Sequence, residues 1–276
     1  MTFQLFNNPS DEELDRVEQS LRAIPDIKAK LLNGIARAVD EVVDPVRSAR
    51  WAIDELDQPE KTVIGIRVEN VLRMDLALER SNHLDMKVAG VNVDVKFTIK
   101  SNWTIPPEAV GEICLVTQFN EKQKTISAGL IRTTKDVLNL GKNRDQKTTI
   151  STAGKQYIRW LVKDEPATPS IVCFMANLDS EVRREITDPH VGAQVRQNRL
   201  FSALLDTPIP EQLVEAISQH KDWTRRLRPD ARNPSAPGET IGYDVLRQSS
   251  AKDRARLAQE GKPPLEIGFC MSVLAN

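Results

Sequence analysis

Residues Leu84 to Thr98 read LDMKVAGVNVDVKFT, and their alternation constrains the fold more than any other stretch. Leu84, Met86 and Val88 fall on one side of an extended chain, Asp85 and Lys87 on the other. After Gly90, the residues Val91, Val93, Val95 and Phe97 share a face, and Asn92, Asp94, Lys96 and Thr98 share the opposite one. Period two on both sides of a glycine predicts a strand pair with one buried side. Residues i and i+2 of a strand lie on one face, so Asp94 and Lys96 sit side by side.

That arrangement has a chemical use. Asp85 and Asp94 converging on one point make a hard, oxygen-only site suited to Mg²⁺. Such an ion stabilises charge on a phosphate oxygen and lowers the pKa of bound water. Lys96 beside it would orient or help deprotonate an attacking water. The spacing is the D-x(n)-(D/E)-x-K pattern of metal-dependent nucleases, although a solvated hairpin with scattered charges produces the same letters. Upstream, Thr62 to Arg80 places Ile64, Val68, Leu72 and Leu76 at every fourth residue, one apolar ridge of a helix. Glu69 borders that ridge, either as a third carboxylate at the site, directly or through water, or as an ordinary solvated glutamate. Helix, strand with Asp, strand with Asp-x-Lys is the core order of the α/β restriction-endonuclease fold.

The rest of the chain fits an ordinary globular protein. Its 276 residues, 40% hydrophobic, suffice for one large domain or two small ones. No apolar run approaches membrane-spanning length. The N-terminus has no basic-then-apolar signal pattern, and Cys114, Cys173 and Cys270 lack metal spacing, which together predict a cytoplasmic protein with reduced thiols. A net charge of −1 announces no nucleic-acid binder, so local basic clusters must supply that signal. Ser10 and Glu13 predict a capping box opening a first helix, and a second helix runs to Val43; the pair covers the core or forms a subunit interface. Val46 to Lys61 reads as irregular, anchored by Trp51. Lys100 and Trp103 follow the Asp-x-Lys strand where a substrate strand would pass, although Trp103 equally suits a core. Glu112–Phe119 and Ile126–Arg132 complete a mixed central sheet.

Lys142, Asn143, Arg144, Asp145 and Lys147 form a polar loop whose side chains suit guanine, adenine and cytosine edges in a major groove; an exposed connector is the plain alternative. Ser151-Thr152 predicts the cap of a helix containing Tyr157, Ile158, Trp160 and Leu161. Lys163 to Ser170 is polar and proline-containing, the expected linker. Beyond it, Ser180–Ile186 predicts a short helix, and Val191–Leu205 and Ile209–His220 two helices spaced like a helix-turn-helix. A basic run follows: Lys221, Arg225, Arg226, Arg228 and Arg232, interleaved with Trp223. Five cations against two acids in twelve residues favour phosphate contacts over a solvated face.

Taken in order, several stretches resemble the NaeI type of type II restriction endonucleases. They are Arg50-Trp51, Asp54, Glu60-Lys61-Thr62, Val68-Glu69-Asn70, Asp85, Ala89-Gly90, Asp94-Val95-Lys96, Ile105 to Gly111, Cys114-Leu115, Ser127 to Arg132, Asn143-Arg144-Asp145 and Ile158 to Leu161. The family motif usually carries Cys where Val95 stands, on the face away from Asp94 and Lys96. The resemblance implies a Mg²⁺-dependent endodeoxyribonuclease of bacterial cytoplasm acting on double-stranded DNA, with Glu69, Asp85, Asp94 and the Val95 carbonyl around the ion and Lys96 at the nucleophile. It implies a homodimer and a catalytic domain over 1–162, a linker over 163–170 and a winged-helix domain over 171–276 that binds a second DNA site. A nicking or mismatch-repair endonuclease of the same fold, or a winged-helix regulator without catalysis, are the alternatives; a regulator has no use for all of Glu69, Asp85, Asp94 and Lys96.

Overall fold

The computed structural model describes residues 11–48, 50–141, 144–167, 170–219, 222–228, 234 and 241–275. The chain forms two compact units, one of Met1–Val42 and Leu56–Ser170, the other of Val43–Glu55 and Ile171–Asn276. Helices α1 (Glu12–Arg22), α2 (Ile27–Val43), α3 (Pro45–Ser48) and α4 (Gln58–Asp75) come first. Strands β1 (Glu79–Arg80), β2 (Met86–Val88), β3 (Val91–Thr98), β4 (Thr104–Ile105), β5 (Ile113–Asn120), β6 (Thr125–Arg132), β7 (Thr148–Thr149) and β8 (Arg159–Pro166) follow.

In the first unit a six-stranded mixed sheet has the order β1-β2-β3-β5-β6-β8. Only β3 and β5 run parallel, pairing Asp94 with Cys114 and Lys96 with Val116; the other pairs are antiparallel. The run ICLVTQF of β5 is almost wholly buried, as expected of a strand covered on both faces. Helix α1 is capped by Asp11, whose carboxylate accepts from the Leu14 N–H at 3.0 Å. Ser10, the expected cap, lies outside the described residues. Arg132 and Arg159 bind the acids of α1: Arg132 reaches Asp11 at 2.8 Å and Glu13 at 2.9 Å, and Arg159 pairs with Asp15 and Glu18. Helix α2 crosses α4 at Gly34, where an added Cβ would stand 3.0 Å from Leu72.

Three expectations about this unit are corrected. The helix predicted over Thr62–Arg80 starts at Gln58, behind a capping box of Asp57 and Glu60, and stops at Asp75. Its end is a Schellman motif: Ala77 takes φ 52°, Leu78 N–H donates to the Arg73 carbonyl at 2.9 Å, and Ala77 N–H to Met74 at 3.0 Å. Alanine stands where glycine would have announced the stop, and Glu79-Arg80 becomes an edge strand. The helix predicted after Ser151 is one 3-10 turn, Gly154–Tyr157, and Trp160 and Leu161 belong to strand β8. Pairing with β6, which leaves no room for a side chain at Gly129, outweighs local helix signals there. Residues Lys163–Pro166 of the expected linker also belong to β8.

The second unit contains α3, α5 (Ile171–Asn177), α6 (Ser180–Ile186), α7 (Ala193–Ala203), β9 (Pro208–Pro210), α8 (Glu211–Ser218), a 3-10 turn at Trp223–Leu227, β10 (Tyr243–Arg247), α9 (Ala251–Gln259) and β11 (Phe269–Leu274). Its sheet has the antiparallel order β10-β11-β9. Trp51 is buried with Met175, Leu200, Phe201, Leu213 and Tyr243, so the segment around it belongs to this core, although it precedes α4 in the chain. All three cysteines are free and buried. Among the described residues no helix is long and apolar enough to cross a membrane.

Candidate active site

The hairpin β2–β3 and helix α4 bring the four singled-out residues into one electrostatic neighbourhood. The loop delivering Asp85 is pinned by Ser81, whose hydroxyl donates to Asn92 Oδ1 at 2.8 Å and accepts from the His83 and Leu84 N–H groups at 3.1 Å each. Asp85 Oδ2 in turn accepts from the Val95 N–H at 2.6 Å. This bond ties the acid of one strand to the backbone between Asp94 and Lys96. Lys96 Nζ lies 2.6 Å from Asp94 Oδ2. The Val95 side chain is buried on the other face, as the alternation required.

Asp94 is 4% exposed. In the parallel register its row continues into Cys114 and Val116, part of an apolar cluster with Trp103, Ile105, Ile131 and Ile158. The face read as polar from β3 alone is therefore apolar one strand further on. Burial first, and the Asp85 charge with it, raise the Asp94 carboxyl to about 6 against the opposing pull of Lys96. Burial, then the charges of Asp85 and Asp94, raise Glu69 as well, although Arg73 and Lys96 pull it down. For Lys96 the burial that favours the neutral amine is outweighed by Asp94 and Asp85, so it stays more basic than an ordinary lysine. Cys114 Sγ, 3.7 Å from Asp94 Oδ2, is raised by burial first and by Asp94 second, and remains a thiol. Nothing in the spacing of the sequence pointed to Cys114; only the crossover pairing of β3 with β5 reveals it.

Among the described residues no three His, Cys, Asp or Glu side chains form a ready-made ligand cage. The donor set nevertheless fits a hard divalent cation: Glu69, Asp85 and Asp94 offer carboxylate oxygens only, and two of them are held above their ordinary range by burial and mutual repulsion. The fit is one of donor chemistry.

The expected contact residues fall into three groups. Lys100 is exposed just past β3. Trp103, expected in the path of a substrate strand or in the core, is in the core: it is 3% exposed and its indole N–H donates to the Thr117 carbonyl at 2.8 Å. Arg144, Asp145 and Lys147 are exposed on a hairpin loop whose base is fastened by Asn139 to Thr149 and Thr148 to Asn139, at 2.8 and 2.7 Å. Asn102 ties the segment after β3 to that base by donating to the Ile150 carbonyl at 2.9 Å. Lys142 and Asn143 lie outside the described residues. In the second unit Arg225 and Arg228 are exposed at the 3-10 turn; Arg232 and the side chain of Arg226 lie outside the described residues.

A mixed sheet flanked by helices, with a helix acid, a hairpin acid and an Asp-x-Lys strand gathered at one place, is consistent with a restriction-endonuclease-like core. The model of the family described as Restriction endonuclease NaeI matches residues 15–260, and the chain belongs to that family of type II restriction endonucleases. The Type II restriction enzyme NaeI of Lentzea aerocolonigenes is 27% identical over 224 residues, which cover 79% of this chain and 70% of that enzyme.

Proposed function

We propose that the chain hydrolyses phosphodiester bonds of double-stranded DNA at a specific site with Mg²⁺, using Glu69, Asp85, Asp94 and Lys96. The observation that carries this reading is the Asp94–Lys96 pair at 2.6 Å, with Glu69 and Asp85 close enough to shift the carboxyls around it. Glu69, Asp85 and Asp94, with the Val95 carbonyl as a further donor, would hold the cation, which supplies Lewis-acid stabilisation of phosphate charge and a more acidic water. Asp85 orients the strand through the Val95 N–H. Asp94 keeps Lys96 protonated and aimed, so its ammonium donates to the attacking water or to a phosphate oxygen. Water attacks phosphorus in line, the P–O3′ bond breaks, and the 3′ oxygen takes up a proton.

DNA would be engaged by Lys100 and by the loop containing Lys142, Asn143, Arg144, Asp145 and Lys147, whose pinned base supports base reading in a groove. Two strands and one such site per chain call for a homodimer at a palindrome. The second unit would act as a winged-helix module for a second DNA site. The order β9-β11-β10, with α7 before β9 and α8 after it, supports this, as does the basic run after α8. A cytoplasmic location goes with that role.

The test is incubation with a long mixed-sequence duplex in Mg²⁺ and in EDTA. Discrete fragments only in Mg²⁺, absent for Asp94→Ala although that variant still binds DNA, are the expected result. Undiminished cutting by the variant would overturn the site assignment.

A further inference from the structure

Helix α4 is apolar on two sides. Ile64, Val68, Val71 and Leu72 face the core, yet Val63, Ile66 and Met74 are 47%, 55% and 72% exposed. They are three of the seven large apolar side chains exposed among the described residues, gathered on one helix. With half-buried Asn70 they form a stripe at spacings of three and four residues, the seam pattern of packed helices.

The stripe is symmetric about Asn70. Ile66 and Met74 lie four residues to either side. A surface that meets its own copy across a two-fold axis must pair residue i with j and j with i. If two α4 helices run antiparallel with Asn70 on the axis, Ile66 faces Met74 of the second copy and Asn70 meets Asn70. The rim does not oppose this. Arg37 pairs with Asp75 at 2.8 Å and with Glu41 at 3.6 Å, Arg67 with Glu41, and Arg73 donates to Asn70 Oδ1 at 2.8 Å beside Glu69, so these three cations and three anions leave no net charge to repel an identical face. The antiparallel helix dipoles also attract.

The same geometry serves the chemistry. One residue of helix is about 100° of rotation, so Glu69 stands about a quarter turn from Asn70. A two-fold perpendicular to a pair of antiparallel helices leaves both such residues on the same side of the pair. The two Glu69 side chains, and the sites they border, then face one duplex from one side.

We propose that the exposed stripe Val63, Ile66, Asn70 and Met74 of α4 is the subunit interface, packed antiparallel on the same stripe of a second copy about a two-fold at Asn70. This rests on the homodimer reading above and names its surface. The full-length protein is tested in two ways. In sedimentation, Ile66→Glu, exposed and therefore compatible with folding, should weaken self-association at least about tenfold. On duplex DNA it should leave nicked circles where the parent cuts both strands. In oxidative cross-linking, Asn70→Cys should form a disulfide-linked dimer by itself. Ile66→Cys and Met74→Cys should link efficiently only when mixed with each other. The native cysteines are buried and do not interfere. A protein that sediments as a dimer, is unaffected by Ile66→Glu and fails to cross-link as the Asn70→Cys variant would overturn this surface and leave the homodimer standing. A protein that stays monomeric on its DNA while cutting both strands would overturn both.

Discussion

Replacing Asp94 by Asn removes a charge the fold holds at a cost. Burial lifts its carboxyl from the ordinary 3.8 to about 6, net of the help from Lys96. Between those values the native state binds more protons than the unfolded chain, so stability falls as pH rises through the window. The displacement corresponds to about 3 kcal/mol, absent below pH 4 and fully expressed above pH 6. Asn is nearly isosteric with protonated Asp, so the two proteins should be about equally stable at pH 4. At pH 7.5 in EDTA the Asn variant should be the more stable, its melting temperature ahead by roughly 5–10 °C for a protein of this size. Comparing the two by calorimetry cancels every group they share. A variant no better placed at pH 7.5 than at pH 4 would refute the argument that Asp94 is a buried charge only partly compensated by Lys96. Adding Mg²⁺ extends the test: binding to the native state alone should raise the wild-type melting temperature at pH 7.5 and leave the variant nearly unmoved. Equal stabilisation of both would remove Asp94 from the ligand set.

Three further outcomes follow from other parts of the molecule. Arg132→Ala removes one of the two arginines that tie α1 to the sheet and should cost about 1–2 kcal/mol at neutral pH. Arg132 holds the Asp11 carboxyl below its ordinary value, so that part of the difference is present above pH 4 and should shrink on acidification in urea melts at pH 6 and pH 3. Gly129→Ala puts a Cβ 2.6 Å from Ile158 Cγ2 and 3.1 Å from the Arg159 carbonyl, and should destabilise the β6–β8 pairing by about 1–3 kcal/mol; an unchanged denaturation midpoint would contradict the register. Replacing Arg225, Arg226 and Arg228 by Ala should weaken DNA binding and flatten its dependence on salt, measured by fluorescence anisotropy, whereas an unchanged slope would make that run a solvated face.

What the sequence disclosed and what it hid divide along one physical line. Asp94 and Lys96 stand two residues apart on one strand, and Asp85 is joined to them by a tight turn. Their proximity follows from strand geometry alone, and Glu69 needed only the helix period. The burial of Asp94 needed more. It depends on Cys114 and Val116 in the neighbouring row, and parallel pairing across a crossover leaves no local mark. Trp51 was recognisable as an anchor, but its partners lie more than a hundred residues away. The two misread helix ends had a different cause: Ala77 adopts a left-handed turn that glycine normally signals, and the segment from Arg159 onward is recruited as a strand by β6.

Asp94 also explains why such a site escapes optimisation for stability. The Asp94 carboxylate, beside Glu69 and Asp85, is placed against an apolar cluster, where a cation would attract it strongly and water competes weakly. The same burial that would strengthen cation binding raises the carboxyl. Lys96 offsets part of that charge at 2.6 Å and stays cationic in doing so. Replacing Lys96 by Met should therefore raise the Asp94 carboxyl further still. The wild-type-minus-variant stability gap should then widen with pH above 6, where the folded variant still holds on Asp94 a proton that the unfolded chain has released; a gap that stays flat from pH 5 to pH 8 would mean that Lys96 does not neutralise Asp94.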